Sequence, residues 1–157
     1  MKKNKTYVLT VSEFFPKTHN KSGLPTGFIN SISNQTKLHT IRGNYPLWKK
    51  RIEEVQAGNA ILSVRYWTGK PYKSKQKEVF VFDKDSAIGI QKLIFNQSNY
   101  LYPYVDWESA KKYVDTEVTH YQISTNDGLS EVDFFEWFKK YDLSEPMAII
   151  HFTPFRY

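Results

Sequence analysis

Along this chain, apolar residues recur at two spacings that separate strands from helices. The clearest alternation runs over 60–67. Ala60, Leu62, Val64 and Tyr66 fall on one face and Ile61, Ser63, Arg65 and Trp67 on the other, the period of a half-buried strand. A second strand is predicted over 7–12, where Tyr7-Val-Leu-Thr-Val11 is apolar and β-branched. Residues 40–42 are extended, and 78–82, 87–95, 117–123 and 147–152 read as further strands. Helical spacing appears behind Asn44-Tyr-Pro46. Trp48, Ile52 and Val55 follow at i, i+4 and i+7, Pro46 suits a first turn, and Gly58 can close the helix. Residues 27–33 predict a short helix. Ser130, with Asp133 three residues on, reads as the N-cap of another that turns Val132, Phe135, Phe138 and Tyr141 inward.

Turn chemistry fills the gaps. Residues 15–24 form a polar loop with Pro16, Gly23 and Pro25 as breakers, 68–75 form a second, and Asn126-Asp-Gly128 is a turn. Residues 96–113, rich in Asn and Tyr, carry no usable period. Strands outnumber helices and the helices are interspersed. The pattern predicts one α+β domain over residues 1–157, built round a curved or closed mixed sheet.

Composition narrows the class. A chain of 157 residues, 40% hydrophobic and 17% aromatic, is long and apolar enough to bury a core and is not largely disordered. Without cysteine it has no disulfide, thiol nucleophile or thiolate metal site, which suits a reducing compartment. The basic start is followed by too short an apolar run for a signal peptide, and no stretch approaches the roughly 18 apolar residues of a membrane span. A soluble, cytoplasmic protein without membrane attachment is expected. The four histidines (His19, His39, His120, His151) show no short metal-ligand spacing, and no dinucleotide or phosphate-loop motif is present, so neither metal nor cofactor is expected.

Charge is strongly asymmetric. Residues 1–77 hold 15 Lys and Arg against 3 Asp and Glu, for +12, while residues 78–157 hold 7 against 13, for −6. Such halves suggest one face made for a polyanion. Two clusters in the basic half carry candidate chemistry. Lys37, Thr40 and Arg42 put two cations and a hydroxyl within six residues, a kit for gripping phosphate or for activating a hydroxyl nucleophile beside an amine. On a strand, Thr40 and Arg42 share a face. Lys37 joins them only if the chain bends between Lys37 and Thr40. As a base, Lys37 needs burial and Arg42 to pull its pKa well below about 10.4. The second cluster is Lys70, Lys73, Lys75 and Lys77 with Tyr66, Trp67 and Tyr72, and Arg65 on the Trp67 face. Cations there can hold phosphates while rings stack on unpaired bases.

Three landmarks together resemble the ASCH domains of the PUA-like superfamily, small β-barrels with helices at their mouths. Lys37-x-x-Thr40-x-Arg42 after a short helix is similar to the family's G-x-K-x-x-T-x-R signature. Ala57-Gly-Asn59 ahead of a strand is similar to its Gly-Asp. Asn126-Asp-Gly-Leu129, before the aromatic helix and closing strand, is similar to its acidic-Gly-Phe element. The landmarks span residues 27–152. The chain departs from the pattern at Gln35, where Gly is usual, at Asn59, and in an added helix at about 45–57. The resemblance implies a PUA-like barrel that binds RNA or nucleotide-like ligands beside the motif. In some members it implies an amidohydrolase of acylated cytidine or a ribonuclease, with a Lys, a Thr and a carboxylate reacting. Asp127, in the Asp-Gly turn, is the carboxylate that could orient Lys37 or shuttle a proton. Two expectations follow. One is a basic cleft for single-stranded nucleic acid on Lys37, Thr40, Arg42, Arg65, Trp67, Lys70, Tyr72, Lys73 and Lys75. The other is a small hydrolase using Lys37, Thr40 and Asp127. A protein-interaction module meeting an acidic partner is a third.

Overall fold

In the computed structural model, which describes residues 4–96 and 102–157, the fold is arranged around its last strand. The run Met147–His151 (β8) is buried at all five positions because both faces are covered. Ile149 enters one core with Leu93, Val105, Ile123 and Phe134, and Ala148 and Ile150 enter another with Leu62, Val64, Ile52 and Val55. A strand buried on both sides reads as a continuous apolar run, as this one does.

Five antiparallel strands form the larger sheet: β2 (His39–Arg42), β8, β5 (Gly89–Asn96), β6 (Tyr102–Val105) and β7 (Thr116–Glu117), in that order. The smaller sheet sets β1 (Lys5–Thr10) parallel to β3 (Ala60–Trp67) and β3 antiparallel to β4 (Gln76–Phe82). The parallel pair needs a long crossover. Here it contains α1 (Phe28–Ser33), β2 and α2 (Tyr45–Gln56). The fold is thus mixed α+β, with two sheets and four helices among the described residues, and no ladder closes those sheets into a barrel.

Helix α2 packs on β3, β5 and β8 through the predicted stripe. Ile52 and Val55 are wholly buried, worth about 1.5–3 kcal/mol each. Asn44 caps it, its side chain accepting from the Leu47 N–H, and Gly58 leaves it at φ +77°.

Two expectations fail at the C-terminal end. Residues 117–123 are not one strand, because only Thr116–Glu117 is paired and His120–Asn126 is a helix (α3). The β-branched residues looked like a strand, but a capping box overrides them. Thr119 accepts from the Gln122 N–H, and Gln122 accepts from the Thr119 N–H. Asn126-Asp-Gly128 is consequently the C-terminal end of α3, with Gly128 at φ +80°. In α4 (Glu131–Phe138) Phe138 is buried and Phe135 packs half-buried against the core as expected, but Phe134 is the most deeply buried ring, Val132 is 74% exposed and Tyr141 lies exposed beyond the helix. Each three-residue step lags a helical turn by about 60°, so a stripe built on that spacing drifts to the opposite side within three steps.

Candidate functional site

Lys37 sits where the chain bends before β2. Its N–H and that of Thr36 both donate to the Ser31 carbonyl at the end of α1, and the Leu38 N–H donates to Asn126 O at the end of α3. The bend swings Lys37 to the same side as Thr40 and Arg42. The three residues line one small cavity with Asp127, Phe28, Trp137 and others. Lys37 is only 1% exposed. Its ammonium donates to the Asp127 backbone carbonyl at 2.5 Å and to Asp127 Oδ1 at 3.0 Å, and lies 4.2 Å from the Phe28 ring centroid. Gly128 makes room, since a Cβ there would come within 3.2 Å of the Lys37 side chain.

Arg42 Nη1 donates to Thr40 Oγ1 at 2.8 Å and to the Ile41 carbonyl, and Nη2 donates to the Thr10 carbonyl at 2.7 Å. The guanidinium therefore ties β2 to the end of β1. The open basic cleft expected on Lys37, Thr40 and Arg42 is instead closed. The cavity holds about 20 Å³, room for about one water molecule and far below the several hundred Å³ of a small-molecule site.

Burial dominates the electrostatics. It pulls the Lys37 ammonium below its ordinary pKa, partly opposed by Asp127. It pushes the Asp127 carboxyl up, but Lys37 and then His39 outweigh it and leave the carboxyl below its ordinary value. The two groups stand in ion-pair geometry, Nζ to Oδ1 at 3.0 Å. Behind them runs a polar chain that sequence reasoning missed. Asn126 Nδ2 donates to the Tyr157 hydroxyl at 2.9 Å, and that hydroxyl is 2.8 Å from His39 Nε2. With the hydroxyl as donor, neutral His39 carries its proton on Nδ1, which faces Asp127 Oδ1 at 3.5 Å, too far for a hydrogen bond. His39 lies opposite His151 in the β2–β8 ladder, their rings 5.4 Å apart, and His151 Nε2 bonds Gln91 Oε1 at 2.9 Å. Burial lowers both imidazole pKa values, that of His151 well below the ordinary value. Two of the four histidines weighed in the sequence for metal binding, His39 and His151, are thus paired in space as buried core groups. Among the described residues no group of three or more His, Asp or Glu could hold a metal ion.

The second cluster is on the surface. The β3–β4 connection is an ordered tip. Thr68 N–H donates to the Lys75 carbonyl, Gly69 N–H to Ser74 Oγ, and Ser74 Oγ to the Lys70 carbonyl. Tyr72, at φ +62° and 89% exposed, packs on Trp67 with ring centroids 5.2 Å apart. Lys70, Lys73, Lys75 and Lys77 are exposed around them, and none forms an ion pair among the described residues. Arg65 does not join this group. Its Nε donates to Ser63 Oγ at 2.7 Å and Nη2 lies 3.8 Å from Glu78, which also accepts from Ser63. A register shift between Val64 and Arg65 brings Arg65 opposite Glu78.

The structure therefore divides the predicted set. Lys37, Thr40, Arg42 and Asp127 meet in a closed cavity, Trp67, Lys70, Tyr72, Lys73 and Lys75 form an open basic tip, and Arg65 is held within the sheet. Comparison with models of known protein families, with curated proteins and with solved structures finds no match to this chain. No helix among the described residues is long and apolar enough to cross a membrane.

Proposed function

We propose that this chain is a PUA-like, ASCH-type domain that binds single-stranded RNA, with the β3–β4 tip as its phosphate-holding and stacking platform. The observation that carries the reading is the exposed contact between the tilted Trp67 and Tyr72 rings beside four exposed lysines that have no carboxylate partner among the described residues. Aromatic faces accept any base, and ammonium groups hold phosphates without reading sequence. Four phosphate contacts on a single strand give a salt slope near −3, so a fourfold rise in salt lowers affinity about 50-fold. Titrating a labelled single-stranded RNA at two salt concentrations tests this. The double variant Lys73→Ala/Lys75→Ala should weaken all sequences alike and flatten the slope. No affinity at low salt would end the reading and favour an acidic protein partner.

A hydrolase acting on a modified nucleoside is the second reading. The cavity favours it in one respect, because burial lowers the pKa of Lys37 beside a threonine hydroxyl that accepts from Arg42. Its size opposes the reading, since a cavity of about 20 Å³ admits a nucleoside only if lining side chains move. Release of free cytidine from an acylated cytidine, lost in Thr40→Val, would support it. Absence of turnover by the wild type across acylated nucleosides would remove it.

A further inference from the structure

Beside the basic tip, the loop over residues 13–27 and the start of α1 stand against edge strand β4 and leave an open groove of about 440 Å³, within the range that accepts a small ligand. Its apolar walls include Phe14, Ile29, Tyr66 and Val79. Phe14 is 55% exposed, a large ring held against water. The loop is fixed rather than loose. Phe14 bridges Pro25 in antiparallel fashion, the Thr26 N–H donates to the Glu13 carbonyl at 2.8 Å, and the Thr26 hydroxyl donates to the Ser12 carbonyl at 2.7 Å.

Two polar side chains on this groove make no hydrogen bond or ion pair among the described residues: the half-buried Glu13 carboxylate and the exposed Asn30 amide. At the rim stands Lys77, which pairs with Tyr66 across the ladder and continues the lysine series of the tip. An apolar peptide would leave the carboxylate unsatisfied and gain nothing from the lysines. A base whose edge presents donors satisfies the carboxylate, and its adjoining phosphates satisfy the lysines.

We propose that this groove is a nucleobase subsite that reads an unpaired guanine, with Phe14 and Tyr66 contacting the ring, the Glu13 carboxylate accepting from its N1–H and exocyclic amine, and Lys77 holding the adjoining phosphate. The proposal rests on the RNA-binding reading and adds base identity to it. Guanine is favoured because its Watson–Crick edge offers two adjacent donors to the two carboxylate oxygens, a bidentate pairing. Adenine and cytosine offer only an amine beside a ring acceptor. Uracil offers one N–H between two carbonyls that repel a carboxylate. Tip lysines position the strand, and the groove specifies the base.

The test compares a uridine oligomer with the same oligomer carrying one central guanosine or inosine, by fluorescence anisotropy at low salt with the full chain. The guanosine oligomer should bind about tenfold tighter than the all-uridine one, the scale of one good bidentate contact. Inosine, which lacks the exocyclic amine, should fall between. Glu13→Gln should bring all three oligomers to the all-uridine affinity, and Phe14→Ala should remove most of the guanosine advantage. Both side chains are solvent-reached, so thermal unfolding should match the wild type. Lys73→Ala/Lys75→Ala should lower all three affinities while keeping their ratio. Equal wild-type affinity for the oligomers, or a ratio that survives Glu13→Gln, overturns the subsite while RNA binding stands. A wild type that binds none of them overturns the RNA reading itself and the subsite with it.

Discussion

Lys37 is an ammonium enclosed by protein, and its cost is met by two hydrogen bonds to Asp127 and the face of Phe28. Removing one partner strands the other. Asp127→Ala should destabilise the protein by about 3–5 kcal/mol, because a charged amine is left without its carboxylate. The double change Lys37→Met/Asp127→Asn removes both charges and keeps apolar volume against Phe28, so it should recover most of that loss. Urea unfolding of the three proteins measures this. A double variant no more stable than Asp127→Ala would show that the site's geometry, rather than charge pairing, sets the cost. Arg42 follows the same logic. It stood out in the sequence as a phosphate ligand, yet its donors on Nη1 and Nη2 are directed at Thr40, Ile41 and Thr10.

At the scale of elements, α3 is the piece that assembles the buried site. Its last residue, Asn126, holds Tyr157 through its side chain and Leu38 through its carbonyl, and its C-cap is Asp127. The helix is only seven residues long, so caps and tertiary contacts rather than intrinsic propensity keep it formed. Thr119→Ala removes the side-chain arm of the capping box, leaving the residue-119 N–H to donate to Gln122, and should cost about 1 kcal/mol. Amide exchange across residues 120–127 should speed up more than exchange in α2. Equal protection in wild type and variant would mean that packing of Ile123 alone suffices.

For the whole molecule, the buried imidazoles set the response to acid. Burial holds His39 and His151 below their ordinary pKa, so the unfolded chain binds protons that the folded chain refuses. Stability therefore rises with pH through that window and falls on acidification below about pH 6.5, by up to about 1.4 kcal/mol per pH unit for each imidazole. Asp127 adds a later loss. Its folded pKa is depressed, so its contribution is complete above about pH 3.9 and disappears as pH falls through the folded value. Denaturant unfolding at several pH values should show the first decline near pH 6.5, and His151→Gln should reduce its slope. A flat profile between pH 7 and pH 5, about two units, would contradict neutral buried histidines.

Much of the element pattern follows from local rules. The alternation over Ala60–Trp67, the Trp48, Ile52 and Val55 stripe, the Asn44 and Ser130 caps and the apolar run of β8 each show in the chain because one face or one turn decides them. So does the basic tip, whose residues are neighbours in sequence. What only the tertiary structure decides are the meetings between distant segments. Lys37 and Asp127 are 90 residues apart, and His39 and Tyr157 are 118 apart. A lysine reads as a surface residue until a carboxylate arrives from elsewhere to make its burial tolerable. The closure of the cavity was equally out of reach, because it depends on Phe28 and Trp137 converging from different helices. Strand and helix periods report which way a side chain points, and packing alone reports what it meets there.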